Sequence, residues 1–337
     1  KEPIYKVGRS MFETDTIEDY WVEPCNELVD EIWVPTSFNV DTFSKAGVHK
    51  EKLFVVPESI DVHHFDPAIH EPLELPQRRE FNFLTIGKWE ERKNYELLLQ
   101  AYFDAFSPKP NSKRHRQDNK RVSLYIRASM NAENKEQYES LVDEYVQEKE
   151  IQRKDLPQVV VIDEMFPYYK LPVLYKAADA FVLASHGEGW GLPLMEAMSM
   201  GLPTVGTNWS GNTEFMSNEN SYLVEVEELI DAPLEGHKWA QPDRVSLASV
   251  LRRIYSSRRS SAETGKRARQ SVIDDFSTTR AADVILNNLK RIKMKIPSII
   301  AQREQKKKEA KEAEEREAKE NQERLAQLEQ LEQDRRE

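Results

Sequence analysis

One cysteine, Cys25, is all that the 337 residues contain, so an intrachain disulfide and a cysteine-based zinc site are both excluded. No run of about 18 apolar residues occurs, and the first residues, KEPIYKVGRS, lack the apolar centre of a signal peptide. The formal net charge of -11 argues against a general nucleic-acid-binding protein. We therefore expect a protein of the cytoplasm, or of the cytosolic face of a membrane, that binds no nucleic acid.

Apolar strands alternate with helices along most of the chain. The strand-like segments between residues 81 and 208 are FNFLTIG, VSLYIRA, VVVID, AFVLAS and PTVGTN. This alternation predicts an α/β fold whose parallel sheet is covered by helices on both faces. Such sheets bind ligands beyond the carboxyl ends of their strands, and the three loops described next all lie there.

The segment SHGEGWGLPLMEAMSMGLP, residues 185–203, follows one of these strands and opens a helix near Pro193. Its glycines let the backbone bend sharply and approach a ligand, and the proline suits a first helical turn. We expect the N–H groups of Gly191, Leu192 and Leu194 to point outward at the positive end of the helix dipole. They would form an anion site suited to a diphosphate.

Two glutamates of this segment stand eight positions apart. We place Glu188 on the loop and Glu196 in the first helical turn, where the two carboxylates would accept hydrogen bonds from hydroxyls on either side of a diphosphate. A nucleotide sugar has that layout of sugar, two phosphates and ribose. Taken singly, Glu196 is also explained as an acid that favours the helix dipole, and Glu188 as a solvated loop acid.

The loop GKWEERKN, residues 87–94, also follows a strand and opens a helix. Lys88, Arg92 and Lys93 concentrate positive charge where the backbone already favours an anion, although surface lysines on a solvated loop are the simpler alternative. We expect Gly87 to belong to the same site.

The loop that begins with Thr207 and Asn208 ends the next strand, and it offers hydroxyl and amide groups for sugar recognition unless it is an ordinary turn. No histidine has the spacing of a metal ligand. The acidic triplet that begins at Glu13 matches a metal-binding pattern only weakly, so we predict no metal site.

AADAFVLASH, followed by EGWGLPLMEAMSMGLPTVGTN, resembles the donor-binding signature of retaining glycosyltransferases of the GT-B fold, family 4, which carry the glycosyl transferases group 1 domain. The spacing of Glu188 and Glu196 matches that family, and so does the basic loop from Lys88 to Lys93. VDEIWVPTSFN and KLFVVPESIDVHHFDP also resemble the end of its N-terminal domain. The resemblance covers roughly residues 1–294.

The resemblance implies two Rossmann-like domains that face each other across a cleft. It implies that a hexose moves from a nucleotide-sugar donor to an acceptor hydroxyl, with retention of anomeric configuration. The acceptor, a glycan, a lipid or a protein, is left open. Enzymes of this kind generally need no metal, so we expect no cofactor besides the donor substrate itself.

The resemblance also assigns roles to individual residues. Glu188 would contact the transferred sugar and Glu196 the ribose. Lys93 and Lys88 would neutralise the leaving diphosphate. Family members usually carry arginine where this chain has Lys88, and we expect Arg92 to share the phosphate contact because lysine lacks the bidentate fork of arginine.

Four parts of the chain follow from this comparison. We expect residues 1–57 to be the last part of the acceptor-side domain, with Glu13 lining the acceptor side of the cleft. We predict a linker over 58–80, the nucleotide-sugar-binding domain over 81–294 and a charged helix or short coiled coil over 295–337. Because the early strands of the acceptor-side domain are not recognised, activity of this chain alone is an open question.

The tail, residues 303–337, lacks glycine, proline and aromatic residues and predicts a long charged helix. It is either solvated or the site of self-association or of a partner helix. Two other functional classes also stay open. One is a GT-B-like nucleotide-sugar-binding or scaffold protein without catalysis, and the other is a relative of the sugar-nucleotide epimerases or glucan synthases.

Overall fold

The computed structural model describes residues 3–108, 117–164 and 166–334. The described chain divides into two compact units. The larger unit, Val7–Val284, contains both parallel sheets, and the other contains most of the C-terminal helix. The predicted α/β class is therefore confirmed, while the predicted domain boundaries stay predictions.

A six-stranded parallel sheet forms the centre of the larger unit. Its strands are β4 (Phe81–Ile86), β5 (Val122–Arg127), β6 (Gln158–Ile162), β7 (Ala180–Leu183), β8 (Thr204–Thr207) and β9 (Tyr222–Val224). They lie in the order β6-β5-β4-β7-β8-β9, with crossovers that place the earliest of these strands in the middle.

Helices cover both faces of this sheet, because successive residues of a strand point to opposite sides. Phe83 of β4 points into one core and Leu84 into the other. One core packs against α3 (Tyr95–Phe106), α4 (Ala132–Glu148) and α7 (Arg244–Ser256), and the other against α5 (Leu171–Lys176), α6 (Leu192–Ser199) and α8 (Arg258–Phe276).

A smaller parallel sheet precedes the large one along the chain. It contains β1 (Val7–Arg9), β2 (Glu31–Val34) and β3 (Leu53–Val55), with α1 (Asp19–Glu27) and α2 (Ser37–Lys45) between its strands. Thr36 caps α2 by accepting a hydrogen bond from the N–H of Asn39.

An antiparallel hairpin of β10 (Val226–Asp231) and β11 (Lys238–Pro242), which no sequence pattern had indicated, follows the large sheet. The C-terminal helix, α9, runs from Thr278 to Asp334. Pro297 does not end this helix, because α9 continues through it. No helix of the described residues has a stretch long and apolar enough to cross a bilayer.

Candidate functional site

The loop that joins β7 to α6 is held by close backbone packing at the carboxyl edge of the large sheet. Gly191 precedes α6 with φ of 98°, a conformation that side chains rarely adopt. Gly211, from the loop after β8, donates its N–H to the carbonyl oxygen of Glu188 over 2.8 Å. A Cβ at Gly211 would lie 2.2 Å from the carbonyl oxygen of Gly189, so only glycine permits this approach.

Two cations from the loop between β4 and α3 converge on the Glu188 carboxylate. The Lys93 Nζ donates to Glu188 Oε1 over 2.7 Å, and the Arg92 Nη1 lies 3.4 Å from Glu188 Oε2. The side chains of Lys93 and Glu188 are buried, with exposures of 8% and 6%. The basic loop, residues 87–94, and the glycine-rich loop at the start of residues 185–203 therefore meet in one site.

The local sequence explains how Lys93 reaches this position. Asn94 adopts the left-handed conformation at φ of 52°, and its side chain caps α3 by accepting from the N–H of Leu97. Asparagine tolerates this conformation better than most residues. The backbone turns sharply at Asn94, so the preceding Lys93 lies outside the helix. The N–H of His186 donates to the carbonyl oxygen of Arg92 over 2.8 Å, which ties the two loops together.

Arg92 contacts three carboxylates at once. Its Nη2 lies 2.9 Å from Glu90 Oε1 and its Nε lies 3.4 Å from Glu13 Oε1, in addition to the contact with Glu188. Burial alone would lower the pKa of Arg92, but the carboxylates, Glu188 foremost, outweigh burial and raise it. The guanidinium is thus a permanent positive charge at the centre of the site.

Glu196 lies in the second turn of α6, not in the first as predicted, because the helix begins at Leu192. Its Oε2 accepts a hydrogen bond from the Tyr175 hydroxyl over 2.7 Å. Burial raises the pKa of Glu196 to about 7, and the Tyr175 hydrogen bond opposes that rise. The helix dipole therefore does not explain why a glutamate occupies position 196, because the dipole stabilises an acid strongly only in the first turn of a helix.

The predicted outward N–H groups of α6 need one correction. The N–H of Leu194 donates to the carbonyl oxygen of Gly191 over 3.0 Å, so it is not available to a ligand. Within the described chain, no backbone carbonyl accepts from the N–H of Gly191 or Leu192. The anion site predicted at this helix is therefore restricted to those two N–H groups.

Other predicted residues differ in where their side chains lie. Lys88 and Asn208 are exposed, whereas Thr207 is buried and donates its hydroxyl to the carbonyl oxygen of Ser185 over 2.6 Å. This hydroxyl supports the loop backbone through its proton, and the role of Thr207 and Asn208 in sugar recognition stays a prediction. At Gly87 an added Cβ would lie 3.1 Å from the Tyr95 hydroxyl and within 3.6 Å of the Lys93 side chain.

The segment around Glu13 lies against the loop of Glu188. The Ser210 hydroxyl lies 2.9 Å from the carbonyl oxygens of both Glu13 and Glu188. A Cβ at Gly187 would lie 2.6 Å from the Glu13 carbonyl oxygen, so this glycine permits the approach. The predicted acceptor-side residue Glu13 is thus brought to the same site by its backbone and, through Arg92, by its carboxylate.

The β10–β11 hairpin holds both of these segments. Its His237 Nδ1 lies 2.7 Å from the Thr14 hydroxyl, and its Lys238 N–H donates to Asp15 Oδ1 over 2.7 Å. The imidazole of His186 stacks on Trp239, with centroids 5.5 Å apart, and its Nδ1 contacts the Ala240 carbonyl oxygen. Burial lowers the pKa of His186, which favours the neutral imidazole.

Two residues of the site were missed from the sequence. Tyr175 belongs to α5 and reaches Glu196 only through the packing of α5 on α6. Arg127 ends β5, and among the described residues its Nε is buried with no hydrogen-bond partner. Its position at the carboxyl end of a predicted strand was the available signal for Arg127. No comparable signal marks Tyr175.

Acidic, histidine and cysteine side chains do not assemble into a metal site in the described residues, since no group of three or more has a suitable arrangement.

Comparison with known proteins shows what this chain is similar to. Residues 80–235 match the family described as "Glycosyl transferases group 1". The chain is 25% identical over 170 residues to mannosylfructose-phosphate synthase of Agrobacterium fabrum, which covers 49% of this chain and 34% of that protein. It is 24% identical to the human alpha-1,3/1,6-mannosyltransferase ALG2, over 78% of this chain and 58% of that protein.

The chain thus spans between about a third and three-fifths of the length of these relatives. Among solved structures, HepE of Anabaena in complex with UDP and glucose matches with a TM-score of 0.64 and 15% identity, over 85% of this chain and 71% of that one. At such an identity the likeness concerns the fold, which is of the GT-B type. Residues 80–235, slightly less than half of the chain, therefore match the glycosyl transferases group 1 family.

Proposed function

We propose that this chain binds a nucleoside diphosphate sugar and transfers its hexose to an acceptor hydroxyl with retention of anomeric configuration. The observation that carries the proposal is the meeting of Lys93 and Arg92 with Glu188 beside the first turn of α6. Relatives described as a mannosyltransferase and as mannosylfructose-phosphate synthase support the reaction class. The solved HepE complex with UDP and glucose supports the donor class.

The chemistry of this transfer makes the leaving group the main problem. When the bond between the sugar carbon and the diphosphate breaks, negative charge grows on the phosphates while positive charge grows on the sugar. Lys93, Arg92 and the N–H groups of Gly191 and Leu192 would stabilise that negative charge. Fixed donors of this type act strongly because they need little reorganisation as the reaction proceeds.

Glu188 has two roles in the proposal. Without a competing anion, its carboxylate pairs with the ammonium of Lys93 and the guanidinium of Arg92. The incoming diphosphate would take over these two cations, and Glu188 would then accept hydrogen bonds from hydroxyls of the transferred sugar. Donor binding and the release of the Glu188 carboxylate are therefore one event.

Two further carboxylates, together with Arg127, complete the proposed arrangement. Glu196, held by Tyr175, would accept from the ribose hydroxyls, and the buried Nε of Arg127 would supply a further donor to the nucleotide. Glu13, which contacts Arg92, would orient the acceptor hydroxyl toward the sugar. We propose that no metal is needed, because the lysine and the arginine supply the required positive charge.

Ligand-induced stabilisation followed by product analysis tests the proposal. We expect one of UDP, GDP or ADP, or one of their sugars, to raise the melting temperature. Ligand at 100 times its dissociation constant adds about 2.7 kcal/mol of stability. The stabilisation should be unchanged by a chelator, which tests the metal-free part of the proposal.

Transfer itself requires an assay of the bound donor with glycan, lipid and peptide acceptors. We expect Lys93→Ala to slow transfer by about 10²–10³-fold, the usual effect of losing one such electrostatic contact. Lys120→Ala is the matched control, because Lys120 is exposed and precedes β5 at the opposite edge of the sheet, and it should stay within about 3-fold of the parent, a difference below about 0.7 kcal/mol. Donor binding without transfer or hydrolysis would instead favour the non-catalytic binding protein, and an altered free nucleotide sugar would favour an epimerase.

A further inference from the structure

Strand β11 contacts both the glycine-rich loop and residues 12–16, which we call the acceptor-side segment. The Lys238 N–H donates to Asp15 Oδ1 over 2.7 Å, and the Asp15 N–H donates to the Lys238 carbonyl oxygen over 3.4 Å. Two positions further along, the Ala240 N–H donates to the carbonyl oxygen of His186 over 3.0 Å. A single strand therefore holds the backbones of both sides of the site.

Strand geometry explains why these two positions of β11 share an edge. β11 pairs with β10 in an antiparallel register. Successive residues of such a strand direct their backbone N–H and C=O groups alternately toward the partner strand and away from it. Lys238 and Ala240 both direct these groups away from β10, and their Cα atoms lie about 7 Å apart. The backbone of β11 thus sets the distance between Asp15 and His186.

A buried side-chain contact joins the acceptor-side segment to the hairpin. His237 and Thr14 are 4% and 3% exposed, and His237 Nδ1 lies 2.7 Å from the Thr14 hydroxyl oxygen. That hydroxyl donates its single proton to the Thr16 carbonyl oxygen over 2.8 Å, so His237 Nδ1 is the donor to Thr14. The ring of Phe12 lies 5.5 Å from that of His237, measured between centroids. Removal of either hydrogen-bond partner would leave a buried polar group unsatisfied.

A second contact joins the glycine-rich loop to the same strand. The indole of Trp239 stacks on the imidazole of His186, and the His186 N–H donates to the carbonyl oxygen of Arg92. Arg92 in turn contacts the carboxylates of Glu13 and Glu188. The hairpin is therefore connected on one side to the groups proposed to hold the donor, and on the other to the segment proposed to orient the acceptor.

The direct polar contacts between the two sides are weaker than those through the hairpin. Arg92 Nε lies 3.4 Å from Glu13 Oε1, and the two side chains are 21% and 34% exposed. Partly exposed ion pairs of this kind contribute little to stability. The Ser210 hydroxyl has one proton for the two carbonyl oxygens, of Glu13 and Glu188, that lie 2.9 Å from it. We therefore expect the alignment of the two sides to depend on β11.

We propose that β11 aligns the acceptor with the donor, and that His237 is the positioning residue through which it does so, by holding Thr14 and hence Glu13. The proposal rests on the proposed transfer function, in which Glu13 orients the acceptor hydroxyl. His237 contacts no group assigned to the donor, so its loss should impair transfer and leave diphosphate binding unchanged. A misplacement of about 1 Å is enough to slow a reaction about 100-fold.

Hydrogen exchange of single backbone amides, followed by nuclear magnetic resonance, tests the positioning without any substrate. Thr14→Val keeps the shape of the side chain but removes the hydroxyl, and His237→Phe keeps an aromatic ring but removes the donor. In both variants the amides of Asp15 and Lys238 should exchange about 3–10-fold faster, the factor expected for the loss of one neutral hydrogen bond. The amide of Ala240 should exchange at the rate of the parent.

Conservative variants separate the hydrogen bond from the shape of the side chains. His237→Asn places an amide N–H near the position of Nδ1, and Thr14→Ser keeps the hydroxyl, so both should exchange like the parent. The double variant Thr14→Val with His237→Phe should exchange no faster than either single variant, because both changes remove the same hydrogen bond. Unchanged exchange of the Asp15 and Lys238 amides in both single variants would overturn the proposal.

Binding and kinetics measure the consequence for the reaction. Dissociation constants of UDP, GDP and ADP for Thr14→Val and His237→Phe should stay within about 3-fold of the parent values. Transfer from the matching nucleotide sugar should fall about 10–100-fold in both variants and recover in His237→Asn. Diphosphate binding that weakens in proportion to transfer would mean a general loss of structure and would overturn the positioning role. A parent chain that binds a diphosphate but transfers no sugar would refute the proposed function, while the amide exchange would still decide whether His237 positions the segment.

Discussion

Glu188 and Glu196 are equally buried, at 5% exposure each, but their surroundings differ in kind. Glu188 faces a lysine and an arginine, whereas Glu196 faces a neutral tyrosine hydroxyl. Cationic partners stabilise the charged form of a buried carboxylate, so removing them is destabilising. A buried carboxylate without cations tends to take up a proton. The comparison shows that two acids eight positions apart in one motif have different physical roles.

The largest expected effect comes from removing the cation of Glu188. Lys93→Met should lower the free energy of unfolding by about 3 kcal/mol, because it leaves a buried carboxylate without its nearest partner. This value is at the low end of the loss expected when one partner of a buried ion pair is removed, because Arg92 remains 3.4 Å from Glu188 Oε2. Urea denaturation of this variant and of Lys93→Met combined with Glu188→Gln measures the effect. The double variant should recover most of the loss, and an equal loss in both would contradict a charge-based explanation.

The second effect is a pH dependence that Glu196 alone should cause. Its pKa of about 7 in the folded protein lies above the ordinary value of 4.5, so the folded state binds more protons between these pH values. The contribution of Glu196 to the free energy of unfolding should therefore fall as pH rises from about 4.5 to 7, by about 2–3 kcal/mol. Denaturation at several pH values should show a smaller fall for Glu196→Gln. Identical pH profiles for parent and variant would exclude Glu196 as the source.

A smaller effect is expected at the partner of Glu196. Tyr175→Phe removes the hydroxyl that donates to the carboxylate and should lower the free energy of unfolding by about 1–2 kcal/mol. The same change should raise the pKa of Glu196 further, because the hydrogen bond opposes the effect of burial. Nuclear magnetic resonance of the labelled carboxyl group follows that titration. A midpoint that moves down, or does not move, would show that the hydroxyl does not hold the charge.

The smallest effect is expected at Lys88. The side chain is exposed, so Lys88→Ala should change the free energy of unfolding by less than about 0.5 kcal/mol. Thermal denaturation beside Lys93→Met gives a direct comparison of the two lysines of one loop. A loss at Lys88 as large as that at Lys93 would remove the distinction between the buried and the exposed cation.

Much of the fold was predictable because its signals are local. Alternating apolar strands and helices indicated the parallel sheet, and the loops after β4 and β7 were located by their glycines, cations and acids. The meeting of Lys93 with Glu188 follows from that topology, because neighbouring parallel strands end at one edge of the sheet.

The sequence-based predictions failed where tertiary packing or local backbone geometry determines the structure. Leu194 donates within the first turn of α6, which sequence alone does not reveal, and Tyr175 meets Glu196 only through packing of two helices. At Pro297 the helix continues because the fixed φ of proline is compatible with a helix even though one hydrogen bond is lost. The β10–β11 hairpin was missed because β10 is largely exposed and half of its residues are acidic, so it lacks the apolar pattern of a buried strand.

The central claim is that Glu188 and a diphosphate compete for Lys93 and Arg92. Isothermal titration calorimetry of a nucleoside diphosphate, without its sugar, into the parent chain and Glu188→Gln measures this competition. We predict that Glu188→Gln binds the diphosphate about 10-fold more tightly, because a charged hydrogen bond of about 1.5 kcal/mol no longer has to be broken. Unchanged or weaker binding by Glu188→Gln would contradict the account.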